Sequence, residues 1–403
     1  MTTGKSADTT SPVTPPSPWE VARLARSSNA FAADLWSQIR EAQGNLAVSP
    51  VSITLALAMT WGGAKGDTAN EMKRVLHFEG TPDEVMDSAG RLLQSWNTSS
   101  DVTLLRVANR LFGSRSYTFE KPYLEKTQAT FGAPLEAVDF DVEVEATRKS
   151  INAWIARQTE DRIQELLPER SLRPGLTKLV LVNAIYFKAT WAKPFSEELT
   201  APEPFFVTPT VKKDVPLMRR KGDYRFAEVD GVKVLEILYK DGDMAMMFVL
   251  PDAVGGLEAV ERNLTSAQWD GWFAALMNET VNVVLPRFEV NPEASLELGE
   301  ALGAMGMRRA FNPEEADFTG MANPPNPNER LHISKVIHKA FVKLDEQGTE
   351  AAAATAVVMV ARTGLARPKV PKEFRADHPF LFFLRENSSG MILFMGRVSE
   401  PAS

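Results

Sequence analysis

Three near-continuous apolar runs set the terms for any fold of this chain: LVLVNAIYF at 179–187, MAMMFVL at 244–250 and VNVVLPRFEV at 281–290. A strand with one wet face alternates polar and apolar residues; these runs do not, so they predict strands covered on both faces. PFLFFLRE and MILFMGRV predict two more strands, joined as a hairpin around Asn387, Ser388, Ser389 and Gly390. The first third predicts helices. Phe31, Leu35 and Ile39 recur at helical spacing after Trp19 and Leu24. Ser49 followed by Pro50 is a helix start, because serine caps orphan N–H groups and proline fits the first turn. Val51, Ile53, Leu55, Leu57 and Met59 leave that helix no polar face, so it belongs at the centre, ending at Gly62-Gly63. Thr68 and Glu71 predict a capping box for the next helix. No repeat and no linker divides residues 19–403, and helices followed by strands predict one α+β domain. Pro12, Pro15, Pro16 and Pro18 in a Ser/Thr-rich setting predict a disordered tail over 1–18.

Much chemistry is excluded. With no cysteine there is no disulfide, zinc–thiolate site or thiol nucleophile, and only His77, His332, His338 and His378 could supply imidazole. A net charge of −7 argues against a nucleic-acid or acidic-membrane partner. Phosphate-loop, GxSxG and HExxH motifs are missing, and GGAKGDT at 62–68 has the wrong spacing for a phosphate loop. Glu314-Glu315 sits beside Pro313 in a polar loop, the mark of a solvated surface rather than an acid/base pair. No metal, cofactor or catalytic residue is therefore expected. The opening residues lack the apolar stretch of a signal peptide, which together with the missing cysteine fits a cytoplasmic setting; an extracellular one follows if a signal has been removed.

The most informative segment is EQGTEAAAATAVVMVART at 346–363. An alanine-rich helix or buried strand is the ordinary meaning of such a run. Here, however, the preceding VIHKAFVKLDE already ends in polar residues, and the following TGLARPKVPKEF reads as a surface loop. The result is an apolar, strand-competent segment between exposed ends, normally selected against because it invites strand addition. Thr349, Ala351, Ala353, Thr355 and Val357 would share one strand face, all small or β-branched, with Glu350 on the other. The segment reads as a loop able to become a strand.

In these residues the chain resembles the serpin family. The likeness covers 19–403 and rests on NLAVSPVSI (45–53), GAKGDTANEM (63–72), NRLF (109–112), INAWI with Thr159 and Ile163, LVLVNAIYFKATWAKPF (179–195), LHISKVIHKAFVKLDEQGTEAAAATA (331–356), HPFLFFL (378–384) and FMGRV (394–398), all in family order. The resemblance implies three β-sheets, eight or nine helices and an exposed reactive loop at about 347–371. It implies a monomer, liable to loop–sheet polymerisation, that inhibits a serine protease as a suicide substrate: the loop is cut, enters the main sheet as a strand and traps the acyl-enzyme. It further implies a hinge at Glu346, Gln347, Gly348, Thr349 and Glu350, followed by Ala351, Ala352, Ala353 and Ala354, whose small size marks the inhibitory type rather than a non-inhibitory binding or chaperone module.

Family spacing counted forward from the hinge puts Arg362 before the scissile bond and Thr363 after it, implying a trypsin-like target. Counting back from HPF gives Leu365 or Ala366 instead, because the stretch from Arg362 to Phe380 is longer than is usual in the family. Arg367 is followed by Pro368, which trypsin-like enzymes rarely accept. The resemblance also assigns a gate for sheet opening to Ser49, Ser52, Asn183 and His338, puts Trp191 near the insertion point, and pairs Arg287 with Glu346.

Overall fold

The computed structural model describes residues 15–96, 103–132, 135–292, 294–326, 329–349 and 370–401. Among these are nine α-helices: α1 (Pro18–Ile39), α2 (Pro50–Trp61), α3 (Gly66–Val75), α4 (Pro82–Trp96), α5 (Lys121–Phe131), α6 (Val144–Gln158), α7 (Leu257–Arg262), α8 (Ser266–Ala274) and α9 (Gly299–Ala304). Ser17 and Glu20 close a capping box on α1, with Pro18 in its first turn. The domain thus begins inside the segment expected to be a disordered tail, whose residues 1–14 lie outside the described residues. In α2, Ser49 caps the Ser52 N–H and all twelve helical residues are buried, as the missing polar face requires. The capping box expected at Thr68 and Glu71 is a correction. Both lie inside α3, where Thr68 accepts the Asp317 N–H at 3.0 Å and Glu71 accepts the Arg308 and Arg309 N–H groups at 2.9 and 2.8 Å. These side chains satisfy a distant loop instead of their own helix end.

Seventeen strands are described. They run β1 (Leu46–Val48), β2 (Thr103–Ser114), β3 (Glu136–Val138), β4 (Leu179–Thr190), β5 (Ala201–Phe206), β6 (Lys212–Val229), β7 (Val232–Leu238), β8 (Met244–Pro251) and β9 (Met277–Pro286). The rest are β10 (Phe288–Val290), β11 (Leu296–Glu297), β12 (Lys335–Ala340), β13 (Val342–Leu344), β14 (Gly348–Thr349), β15 (Lys372–Arg375), β16 (Phe380–Glu386) and β17 (Ile392–Val398). The first third is therefore not purely helical, since β1 and β2 fall within it. The run at 281–290 is interrupted at Arg287, between β9 and β10.

Hydrogen bonding joins these strands into two networks. The smaller two of the three expected sheets are continuous through β6. Its N-terminal residues pair with β5, its middle with β9 and its C-terminal end with β7. One 18-residue strand long enough to serve both sheets explains the fusion.

The main sheet is built around β4. Antiparallel β2 lies on one side over Thr103–Gly113, and parallel β12 on the other, with Lys335–Ala340 against Val180–Ile185. Leu181, Ile185, Phe187 and Ala189 face the main core, which contains α2. Val180, Val182, Ala184 and Tyr186 face a second cluster with Ile151 and Ile155 of α6, Ile163, Leu166, Leu167, Ile337 and Phe341. This two-sided burial is why the β4 sequence does not alternate.

Candidate functional site: the seam of the main sheet

The boundary between β4 and β12–β13 holds most of the described residues that the sequence singles out. At its lower part His338 and Asn183 are direct cross-strand neighbours. His338 Nε2 accepts the Ser49 N–H at 3.1 Å, which leaves the Nδ1 proton to be donated to Asn183 Oδ1. Asn183 Nδ2 in turn donates to Ser52 Oγ and Asn109 Oδ1, and Asn109 Nδ2 donates to the Ser52 carbonyl at 3.2 Å. Ser49, Ser52, Asn183 and His338 are thus one buried network tying α2 to both sides of the seam. Asn109 is its unforeseen member, a buried polar residue facing inward on β2.

Burial pushes His338 down to about 3 from an ordinary 6.5. The unfolded chain takes up a proton below pH 6.5 that the folded chain refuses until about 3, so this contribution to stability is whole above 6.5 and is lost as pH falls toward 3. Going from pH 7 to pH 5 should cost about 2 kcal/mol through this group. Urea titrations at the two pH values should show that loss in the parent and a correspondingly smaller one in His338→Gln. Equal pH dependence in the two proteins would exclude the mechanism.

Higher up, the seam is already occupied. Residues 345–348 turn back, with the Asp345 N–H donating to the Gly348 carbonyl at 2.9 Å. Gly348 and Thr349 then run antiparallel between β13 and β4: Gly348 opposite Thr190, and Thr349 opposite Ala189 and Leu344. At Gly348, φ is +150° and a Cβ would collide with the Ala189 carbonyl, so only glycine fits. Thr349 is 1% exposed, and its hydroxyl meets Tyr239 Oη at 2.5 Å. Tyr239 is held by stacking on Trp191 (4.5 Å, 15°) and an edge contact with Phe187. The hinge is therefore not wholly exposed; its first two strand residues are seated. Nothing in the local sequence marks Tyr239 as their receptor.

The turn is fastened from several sides. The Trp191 N–H donates to the Gln347 carbonyl at 2.9 Å and its indole Nε1 to the Asp345 carbonyl at 3.0 Å. The Phe195 N–H donates to the Glu346 carbonyl at 2.8 Å. Glu346 is 3% exposed; its carboxylate receives Arg287 Nε at 2.7 Å and the Thr200 hydroxyl. That carboxylate holds the Arg287 guanidinium in its charged form. Partial burial raises the Asp345 carboxyl above its ordinary value.

Glu350, Ala351, Ala352, Ala353, Ala354, Arg362, Thr363, Leu365 and Ala366 lie outside the described residues. Among those described, no group of three or more His, Cys, Asp or Glu side chains could hold a metal, and no helix is long and apolar enough to cross a membrane.

With this geometry in hand, similarity to known proteins assigns the class. The sequence matches the serpin family, serine protease inhibitors, over residues 26–401, and the chain belongs to that family. It is 39% identical to human serpin B4 over 94% of this chain and 99% of that protein. Bovine leukocyte elastase inhibitor is 41% identical, over 94% of this chain and 100% of the relative. These relatives carry the names of inhibitors, not of enzymes. Among solved structures, uncleaved ovalbumin superposes with a TM-score of 0.83 at 30% identity, covering 94% of this chain and all of that one. Human thyroxine-binding globulin in complex with thyroxine gives 0.85 at 28%, covering 95% of this chain and all of that one.

Proposed function

We propose that this serpin is of the inhibitory type: a suicide substrate whose loop, cut after Arg362 by a trypsin-like serine protease, enters the seam as a new strand and traps the acyl-enzyme. The observation that carries this reading is the seated pair Gly348–Thr349, an antiparallel strand begun in register between β4 and β13 immediately before the alanine run. Continued in that register, the loop would bring Thr355 opposite both Asn183 and His338, so completing the strand requires their direct contact to open. Ser49, Ser52, Asn183 and His338 are then the gate. Trp191, with the Arg287–Glu346 pair, anchors the turn from which the strand grows. The molecule acts as a monomer, and a seam that accepts its own loop carries the liability of accepting a neighbour's.

A second reading of the target follows from the relatives. Leukocyte elastase inhibitors at 39–41% identity favour a cut at Leu365 or Ala366, residues that suit an apolar pocket. Incubation with a panel of proteases tests both readings. A detergent-stable complex with a trypsin-like enzyme, and a released peptide beginning at Thr363, is the expected result; Arg362→Leu should then abolish trypsin inhibition. Unchanged trypsin inhibition in that variant, with the cut mapped at 365–366, overturns the Arg362 assignment. Cleavage without any stable complex overturns inhibition itself and leaves a binding module.

A further inference from the structure

We infer that Lys188 and Lys343 form a receiving site for the carboxylate of Glu350, empty until the loop enters the seam. This rests on the insertion proposed above and names the residues that would govern its first step. Thr349 sits opposite Ala189 on one side and Leu344 on the other, with its side chain toward the main core. In an extended chain the next residue points to the opposite face and moves one place along both antiparallel neighbours. Those places are Lys188 on β4 and Lys343 on β13. Both lysines belong to the face that carries the second apolar cluster: Lys188 is two residues beyond Tyr186, and Lys343 two beyond Phe341. Glu350 would therefore arrive between two cations.

Both lysines are half-buried, and among the described residues neither ammonium has a hydrogen-bond or ion-pair partner. Asp345 attracts Lys343 without forming an ion pair with it, and the carboxylates of this region have other partners. Asp345 accepts the Gln347 N–H, Glu346 holds Arg287, and Glu160 accepts the Tyr186 hydroxyl. Opposite charges on directly facing strand residues attract, and here a single carboxylate would meet one lysine on each side. The contact exists only after insertion, so it favours the inserted state over the free loop. It also acts at the first residue beyond the seated pair, where slow entry would let the acyl-enzyme hydrolyse.

The experiment uses the full chain and four proteins: the parent, Lys188→Glu/Lys343→Glu, Glu350→Lys, and all three changes together. Two quantities are read: moles of inhibitor consumed per mole of trypsin inactivated, and the rise in melting temperature after nicking the loop. The double lysine variant and Glu350→Lys should each raise consumption roughly three- to ten-fold and shrink the thermal gain. The triple variant, with the charges exchanged, should recover most of both. High salt should narrow the differences, since the site is partly exposed. Lys188→Gln/Lys343→Gln replaces the acidic pair if that variant does not fold, with a smaller effect of the same sign. Lysine variants that match the parent in both readouts, or no recovery in the triple variant, overturn the receiving site while leaving insertion intact. A parent that gains no stability on nicking overturns insertion and the receiving site together.

Discussion

Cleaving the chain within residues 358–363 should raise its melting temperature, whereas most proteins are weakened by a nick. The present seam is closed by one parallel ladder, β12 against β4 from Lys335 to Ala340. An inserted strand would replace it with two antiparallel ladders, a net addition on the order of a dozen backbone hydrogen bonds at about 1 kcal/mol each. The residues turned toward the main core would be Ala351, Ala353, Thr355 and Val357, all small enough to enter without overpacking. Spread over a chain of 403 residues, about 10 kcal/mol corresponds to a rise on the order of 10 °C. Calorimetry of intact and nicked protein measures it directly. A nicked form that melts at or below the intact one rules out insertion.

Thr349→Arg should convert the inhibitor into a substrate. Alternation along the segment makes Thr349 the first core-facing residue, and the structure shows it already in the core, 1% exposed against Tyr239. A guanidinium there would be stripped of its water among Tyr239 and the rings packed on it, at a cost of several kcal/mol. The substitution should therefore unseat the hinge as well as oppose its entry. Trapping is a race between insertion and hydrolysis of the acyl bond, and a hinge that starts outside the sheet loses it. The expected outcome is cleavage at the same bond with little stable complex, read as a steep increase in inhibitor consumed per protease inactivated. Alternation alone would make Glu350→Arg an innocuous control. The two lysines flanking its place argue otherwise, so Glu350→Gln is the better comparison and should keep most inhibition. Equal stoichiometry for Thr349→Arg and Glu350→Gln would refute the face assignment.

Parts of the site were legible because their cause is local. Ser49-Pro50 starts a helix wherever it is found, and an all-apolar run following it must be buried; α2 is both. Asn183 could be singled out because an amide in an apolar strand needs partners, and it has three: Ser52, Asn109 and His338. The Thr68–Glu71 reading failed for the converse reason. Those side chains can cap a helix, but the loop at 308–317 offered N–H groups that only the folded chain brings near.

What the sequence by itself determined is what spacing and chemistry enforce without a fold. It set strands buried on both faces, a central helix, and a loop with the alternation and small residues of a strand. It also excluded disulfides and cysteine chemistry. Only the tertiary structure decided which strands the seam lies between, how far the hinge has entered it, and which residues wait there. Tyr239 lies 110 positions from Thr349, and Lys188 lies 155 from Lys343. No local pattern encodes such distances, because register between strands is fixed by the packing of whole faces rather than by any residue's own preference.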